Sequence, residues 1–205
     1  VNALFPHVLS KFLEGSKTKI IQIATDCVYS GSVGAYLENV LHDALDVYGK
    51  TKSLGEVRAD NLLNIRCSII GPEIKGKLSL LEWFLSQVEG AELTGFENHL
   101  WNGATTLQFA QLCELIITKE LFEDLIKESK SHHYTPNSTV SKYELLNIFK
   151  EAFGKNVTIK KGNGPVPVDR TVKTQLKILS SNYKPIKMEV AMKELAVFMK
   201  NNPLI

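Results

Sequence analysis

Cysteine, unbalanced charge and long apolar runs are all scarce in this sequence of 205 residues. Its three cysteines, Cys27, Cys67 and Cys113, lie far apart with no Cys-x-x-Cys pair, so neither a disulfide framework nor a metal site is predicted. The formal net charge of +2 gives no bulk attraction to nucleic acid or to a membrane surface. No apolar run approaches the roughly 18 residues of a membrane span, and the start lacks the pattern of a signal peptide. These absences favour a reducing, cytoplasmic compartment and exclude membrane insertion and nucleic-acid binding as expected functions.

A glycine-rich phosphate-binding turn is also absent. No Gly-x-Gly-x-x-Gly occurs, and Gly31 to Gly34 is too short and is not followed directly by a helix. A dinucleotide-binding half would place a strand, such a turn and a helix before the apolar helical pattern that already occupies Leu4 to Leu13. The first residue is Val1 rather than Met. We therefore expect a chain that lacks the first strands of its sheet.

What the sequence does contain is an alternation of strand and helix patterns. Apolar, β-branched runs at 19–24 and 63–70 predict buried parallel strands, with helical patterns before and between them. Beyond Gly71-Pro72 we predict helices at 78–88, 106–117, 121–128, 142–153 and 190–199, strands at 92–96, 133–135 and 157–161, and a polar loop at 98–105. This order predicts an α/β fold, with a partial Rossmann-like, doubly wound parallel sheet and a smaller C-terminal α/β lobe.

One predicted helix carries a tyrosine and a lysine at a spacing that suits proton transfer. Tyr48 and Lys52 are four residues apart, so their side chains lie on one helix face, one turn apart. A neighbouring ammonium favours the phenolate, so we expect Lys52 to lower the pKa of Tyr48 from its usual value of about 10. Thr25 would offer a hydroxyl to the same substrate oxygen. Because ligands of doubly wound sheets bind beyond the carboxyl ends of the strands, Thr25 and the segment 67–72 should face one site.

These motifs, taken in order, resemble those of the extended short-chain dehydrogenase/reductase superfamily. The set comprises Thr25-Asp26, Gly34-Ala35-Tyr36-Leu37-Glu38, Tyr48-x-x-x-Lys52 followed by Gly55-Glu56, and Leu63-Asn64-Ile65-Arg66 leading to Gly71-Pro72. The Thr-Asp pair at the strand end is most similar to the dTDP-4-dehydrorhamnose reductase branch. The resemblance implies that 1–71 form the C-terminal half of an NAD(P)-binding Rossmann domain. Residues 72–205 would then form mainly a substrate-binding lobe, with segments that return to the sheet.

The resemblance also implies a function, namely NAD(P)H-dependent reduction of a nucleotide-activated 4-keto-6-deoxy sugar in deoxysugar and surface polysaccharide biosynthesis. It assigns catalysis to Thr25, Tyr48, Lys52 and Asp26, binding of NADPH or NADH to Tyr48, Lys52, Ala24, Cys67 and Ile70, and binding of the nucleotide sugar to Trp101 and Arg170. A homodimer is compatible with it. Two alternatives stay open: a sugar-nucleotide 4-epimerase or epimerase-reductase of the same superfamily, and a non-catalytic nucleotide-binding regulatory subunit.

Other residues of the motifs allow more than one interpretation. Cys27 stands where sugar 4,6-dehydratases have a catalytic glutamate, which disfavours dehydration. GDP-fucose synthase has a cysteine there that works with a histidine, but Gly71-Pro72-Glu73 offers none, so Cys27 is interpreted as a small packing residue. Asn2 aligns with the asparagine of the superfamily's catalytic tetrad, or is a local helix cap.

The basic residues outside the Tyr48 helix are equally ambiguous. Arg66 either reaches the site or a pyrophosphate, or makes a surface ion pair. Arg170 and Lys173 occupy the late loop in which relatives contact substrate phosphates, which a guanidinium can bind through two hydrogen bonds, or they form a solvated basic turn. His132-His133 lacks a third ligand at metal spacing and is expected at the surface.

Overall fold

The computed structural model describes residues 1–76 and 78–202, and it confirms the α/β fold. The helices are α1 (Leu4–Phe12), α2 (Val47–Leu54), α3 (Leu80–Leu85), α4 (Thr106–Thr118), α5 (Phe122–Glu128), α6 (Lys142–Phe153), α7 (Lys177–Ser180) and α8 (Met188–Asn201). The strands are β1 (Ile20–Ala24), β2 (Leu62–Arg66), β3 (Ile69–Ile70), β4 (Glu92–Phe96), β5 (His99–Trp101), β6 (Ala104–Thr105), β7 (Ser131–His133), β8 (Val140–Ser141), β9 (Thr158–Gly162) and β10 (Val168–Asp169).

The first sheet has the order β1-β2-β7 and is parallel throughout. Strand β2 is buried along its whole length, as expected of a strand covered on both faces. The strand predicted at 63–70 is in fact two, because after Arg66 the chain leaves this sheet and β3 pairs with β6 instead. The strand predicted at 133–135 lies at Ser131–His133, where it returns to the sheet beside β2. Parallel strands alternating with helices confirm the Rossmann-like prediction.

The remaining strands belong to the later part of the chain. Strands β4 and β9 form a parallel pair, and β10, β5 and β8 form a three-stranded sheet, here called the lobe sheet. The prediction of a loop at 98–105 was wrong, since these residues contain β5 and β6. Helices α6 and α8 pack together over a core that includes Phe84, Phe149 and Met192. The division of function between this part and residues 1–71 stays a prediction.

One edge of the first sheet is open, because within residues 1–76 and 78–202 no strand pairs with the outer side of β1. Nearby, α1 turns most of its predicted apolar face outward, with Leu4 72% and Phe12 83% exposed. The side of α1 that packs inward includes the buried Ser10, whose hydroxyl donates a hydrogen bond to the Asn61 side chain (2.7 Å). None of the helices in the described part of the chain is long and apolar enough to cross a membrane.

Candidate active site

The carboxyl end of β1 leads into a single turn of 3-10 helix, Asp26–Val28. Thr25 begins this turn: its Oγ1 accepts a hydrogen bond from the Cys27 backbone N–H (3.1 Å) and its hydroxyl lies 3.3 Å from Asp26 Oδ1. Both side chains are nearly buried, with Thr25 6% and Asp26 4% exposed. The turn therefore fixes the threonine hydroxyl at the strand end, where ligands of doubly wound sheets bind.

Helix α2 packs tightly against this turn because it carries glycine at its closest point. A Cβ at Gly49 would lie 2.3 Å from the Cys27 carbonyl oxygen, so no larger residue fits. The Asp46 carboxylate caps the helix by accepting the Gly49 N–H at 2.7 Å. Tyr48 consequently stands beside the end of β1, with 51% of its surface exposed. A substrate can reach this phenol.

The pKa of Tyr48 is raised, which differs from the expectation that Lys52 lowers it. Burial is the largest cause, and the Thr25 hydroxyl opposes it. Lys52 instead donates a hydrogen bond from Nζ to the Ile23 carbonyl oxygen (2.8 Å), and burial lowers its own pKa. Since burial is the main cause of the raised pKa of Tyr48, the phenol keeps its proton at neutral pH.

The predicted cofactor contacts other than Tyr48 and Lys52 have buried side chains. Ala24 and Cys67 are each 2% exposed and Ile70 is 6% exposed. Burial raises the pKa of the Cys67 thiol, which therefore stays protonated. Any contact these three make with a cofactor would have to come from their backbone groups, and the assignment stays a prediction.

Two cations lie next to the 3-10 turn, and only one of them belongs to the predicted set. Arg170 follows β10 and directs Nη1 to the Cys27 sulfur at 3.8 Å, while its Nε is buried without a hydrogen-bond partner. Burial raises the pKa of Asp26, and the charges of Arg170 and Lys142 oppose that rise. Lys142, the first residue of α6, was not predicted. Its one sequence signal is a positive charge at the positive end of a helix dipole, where acidic residues are preferred.

Trp101 does not offer its ring to the site directly. It is 4% exposed and belongs to the core of the later part of the chain. The ammonium of Lys142 lies 5.3 Å from its ring centroid, in a cation–π contact. Asn102 also turns inward, since its side chain exchanges two hydrogen bonds with the backbone of Val172. The prediction that Trp101 contacts the substrate remains untested.

Arg66 makes a buried ion pair, so the surface pair, one of the alternatives left open for it, is wrong. Its Nε and Nη2 each donate to a carboxylate oxygen of Glu56 at 2.7 Å, and its Nη1 donates to the Tyr29 hydroxyl at 2.9 Å. His133 Nε2 lies 3.2 Å from the same hydroxyl. Burial raises the pKa of Tyr29 to about 12 and lowers that of His133 to about 4, so both stay neutral at pH 7. Arg66, Glu56, Tyr29 and His133 are here called the Arg66 cluster.

The histidine pair predicted at the surface is buried, with His132 and His133 each 1% exposed. Each ring has backbone partners: His132 Nε2 lies 3.0 Å from the Leu125 carbonyl oxygen, and His133 Nδ1 lies 2.7 Å from that of Lys173. Asn2 is exposed in the turn before α1, and Lys173 is exposed as well. Among the described residues, no side-chain hydrogen bond or ion pair links either of them to the Tyr48 site.

The segment that carries Arg170 is held in place by the loop after Tyr29. The Asp169 N–H donates to the Gly31 carbonyl oxygen at 2.7 Å, and the Asp169 carboxylate accepts from the Thr171 hydroxyl at 2.6 Å. Gly34 has a left-handed φ of +77°, and a Cβ there would lie 2.1 Å from the Asp169 carboxylate. The loop thus needs glycine for both its backbone and its contact with Asp169.

Substituting Gly34 by alanine should destabilise the fold more than the same substitution at Gly15. Gly15 has almost the same φ, +78°, but a Cβ added there would have no atom within 4 Å. Gly15→Ala should cost only the left-handed strain of about 1–2 kcal/mol, and Gly34→Ala should cost about 1–3 kcal/mol more because it also overpacks. Urea denaturation of both variants measures the difference. Equal losses in the free energy of unfolding would show that the Asp169 side chain moves aside without cost.

Comparison with known proteins gives no match by family model or by curated sequence. Solved structures do match. A dTDP-4-dehydrorhamnose reductase from Clostridium acetobutylicum aligns with a TM-score of 0.76 over 98% of this chain and 72% of that one, at 19% identity. A second, from Bacillus anthracis in complex with NADP, aligns with a TM-score of 0.76 over 97% and 72%, at 15% identity. This chain has the fold of a dTDP-4-dehydrorhamnose reductase.

The reductase fold is shared with enzymes of other chemistry. A dTDP-glucose 4,6-dehydratase from Bacillus anthracis in complex with NAD aligns with a TM-score of 0.70 over 98% of this chain and 68% of that one, at 15% identity. These alignments confirm, at the level of fold, the resemblance drawn from the motifs. At such identities the likeness fixes architecture and leaves chemistry to be argued from the residues present.

Proposed function

We propose that this protein is an NAD(P)H-dependent reductase of a nucleotide-activated 4-keto-6-deoxy sugar, similar to dTDP-4-dehydrorhamnose reductase. The observation that carries the proposal is the half-exposed, protonated phenol of Tyr48 beside Thr25 at the carboxyl end of β1, in a reductase fold. A phenol in that position can give a proton to a ketone oxygen as the carbonyl is reduced. The product would enter surface polysaccharide synthesis.

The side chains at the site fit a nicotinamide nucleotide. Tyr48 and Lys52 present a hydroxyl and an ammonium one turn apart on α2, and the ammonium already donates to a carbonyl oxygen at the strand end. Both groups suit the hydroxyls of a ribose. Bound NADPH or NADH would supply the hydride. Ala24, Cys67 and Ile70 would line the cofactor through their backbone.

Each remaining residue of the site has a distinct role in the proposal. Thr25 would hydrogen-bond the ketone oxygen, which requires its hydroxyl to turn from Asp26 toward the substrate. Asp26 would shape the turn that holds Thr25. Arg170, whose buried Nε has no partner within the described chain, would bind the substrate's phosphates. Trp101 would support the sugar pocket from the core side.

The test is to incubate the protein with dTDP-4-dehydrorhamnose and NADPH or NADH, in deuterium oxide, and to follow cofactor absorbance and the sugar's proton spectrum. Cofactor oxidation with formation of the 4-hydroxy sugar supports reduction. Deuterium at the ring carbon beside the former ketone would instead identify an epimerase or epimerase-reductase. Nucleotide binding with neither change would identify a non-catalytic binding subunit and overturn the proposal.

A further inference from the structure

Two cations converge on the Tyr48 site from the two outer strands of the lobe sheet. Arg170 directly follows β10, and Lys142 directly follows β8. Both strands pair with β5, which ends in Trp101, the ring over which the Lys142 ammonium lies. The lobe sheet therefore brings two positive charges against the turn that carries Asp26 and Cys27.

The carboxylates near these charges do not hold them in ion pairs. Among the residues that the structure describes, neither Arg170 nor Lys142 forms an ion pair. Asp26 is an acidic group on which both cations act, and burial raises its pKa against their charges. The carboxylate of Asp46 already accepts the Gly49 N–H at the start of α2. Both cations therefore lack a carboxylate at ion-pair distance in the described part of the chain, and the buried Nε of Arg170 lacks any hydrogen-bond partner there.

Lys142 occupies a position that costs stability. It is half-buried at the first position of α6, where the helix dipole is positive, and it faces a second cation, Arg170. Burial lowers the pKa of Lys142 to about 8, with Arg170 acting in the same direction and Asp26 and Cys27 opposing. Residues that break a local rule in this way are expected at functional sites.

We propose that Lys142 and Arg170 together bind an oxyanion of the nucleotide-sugar substrate, and that Lys142 is thereby a substrate-positioning residue. The inference rests on the proposed function for its ligand, but not on turnover. Two cations with no carboxylate partner attract an oxyanion, which gains charge-assisted hydrogen bonds from both. On the proposed substrate this oxyanion is the diphosphate, since a 4-keto-6-deoxy sugar carries no carboxylate, and a sugar nucleotide that does carry one is the alternative in the test.

The experiment measures binding by titration calorimetry in the absence of NAD(P)H, with the intact protein. Lys142→Met keeps the aliphatic stem over Trp101 and removes the charge, whereas Lys142→Arg keeps the charge. Lys150→Met, on the same helix but in its last turn, is the matched control for loss of one positive charge. The probes are dTDP, inorganic pyrophosphate, UDP-glucose and UDP-glucuronate.

We expect Lys142→Met to weaken anion binding about tenfold to a hundredfold, the loss typical of one charged hydrogen bond. Lys142→Arg should recover most of the affinity, and Lys150→Met should leave it unchanged. Loss of dTDP and pyrophosphate binding identifies the diphosphate. Unchanged dTDP binding, with loss of the preference for UDP-glucuronate over UDP-glucose, identifies a sugar carboxylate as the oxyanion and overturns the 4-keto-6-deoxy sugar as the substrate.

Two further readouts separate binding from a structural role. The wild-type affinity should fall as the pH rises above about 8, and Lys142→Arg should remove that fall, because a guanidinium keeps its charge. The unfolding temperature of Lys142→Met should equal or exceed that of the wild type. A lower unfolding temperature with unchanged affinity for all four probes would overturn the inference. Absence of reduction with Lys142-dependent binding would overturn only the proposed function.

Discussion

Replacing Tyr48 by phenylalanine should slow sugar reduction by about 10²–10⁴-fold while leaving dTDP binding nearly intact, because the lost hydroxyl acts on the ketone and on the cofactor ribose and not on the dTDP of the substrate. The raised pKa of Tyr48 means that this proton is present throughout the neutral range. The phenylalanine ring fills the same space at the start of α2, so the fold should be unaffected. Steady-state oxidation of NADPH or NADH with dTDP-4-dehydrorhamnose measures the loss, and calorimetric titration with dTDP measures binding.

The matched control is Tyr143→Phe. Tyr143 lies on α6 with the Lys161 ammonium 5.0 Å from its ring, and its hydroxyl makes no hydrogen bond within the described part of the chain. This variant should keep full activity. Equal activity of Tyr48→Phe and Tyr143→Phe would rule out the phenol of Tyr48 as the proton donor.

Replacing Arg66 by methionine should lower the free energy of unfolding by about 3–5 kcal/mol, the usual loss when one partner of a buried ion pair is removed. The side chains of Arg66 and Glu56 are only 5% and 7% exposed, so water cannot solvate the carboxylate that remains. The Tyr29 hydroxyl would also lose its donor. Urea unfolding followed by circular dichroism measures the change.

Two further variants test whether the loss of stability in Arg66→Met comes from the burial of the ion pair. The double variant Arg66→Met with Glu56→Leu removes both charges and should be more stable than Arg66→Met alone, since no buried charge is left unpaired. Lys161→Met breaks the exposed pair with Glu97 and should leave the unfolding midpoint unchanged. If Arg66→Met were as mild as Lys161→Met, the Arg66 cluster would not be a stabilising part of the fold.

The part of the site that could be predicted from sequence is the part encoded locally. The four-residue spacing of Tyr48 and Lys52 and the position of Thr25 at the end of an apolar run both survive in the structure, because short-range periodicity determines which side chains share a helix face. The direction of the Tyr48 pKa shift did not follow from spacing. The direction depends first on burial, and the Lys52 ammonium that was expected to oppose it donates to the carbonyl oxygen of Ile23, 29 residues away in sequence.

The Arg66 cluster shows why buried polar residues were assigned to the surface. Tyr29 and His133 are 104 residues apart, and Arg66 and His133 are 67 apart, so no local pattern joins them. An isolated charge or histidine is normally exposed, and the sequence gives no sign that distant partners satisfy these groups. Burial here is a property of the assembled sheet, in which β7 returns beside β2.

Lys142 was missed for a related reason. Ser141 and Glu144 form a capping box that correctly predicts where α6 begins, and a capping signal says nothing about what faces the first turn. Strands β5 and β10 were missed because each has only two or three residues and is defined by pairing with the other. Such short strands have no periodicity that a sequence can display.

The length and pairing of β5 determine which anions the two positive groups can bind together. Strand β5 lies between the strands that lead to Arg170 and to Lys142. Its pairing with both strands therefore sets the distance between the two positive groups. Sliding either neighbour by two residues, the smallest shift that keeps its side chains on the same face, would alter that separation by about 6.6 Å. Substitutions that shift this register, with no atom near the ligand, could therefore retune the protein toward longer or shorter anions.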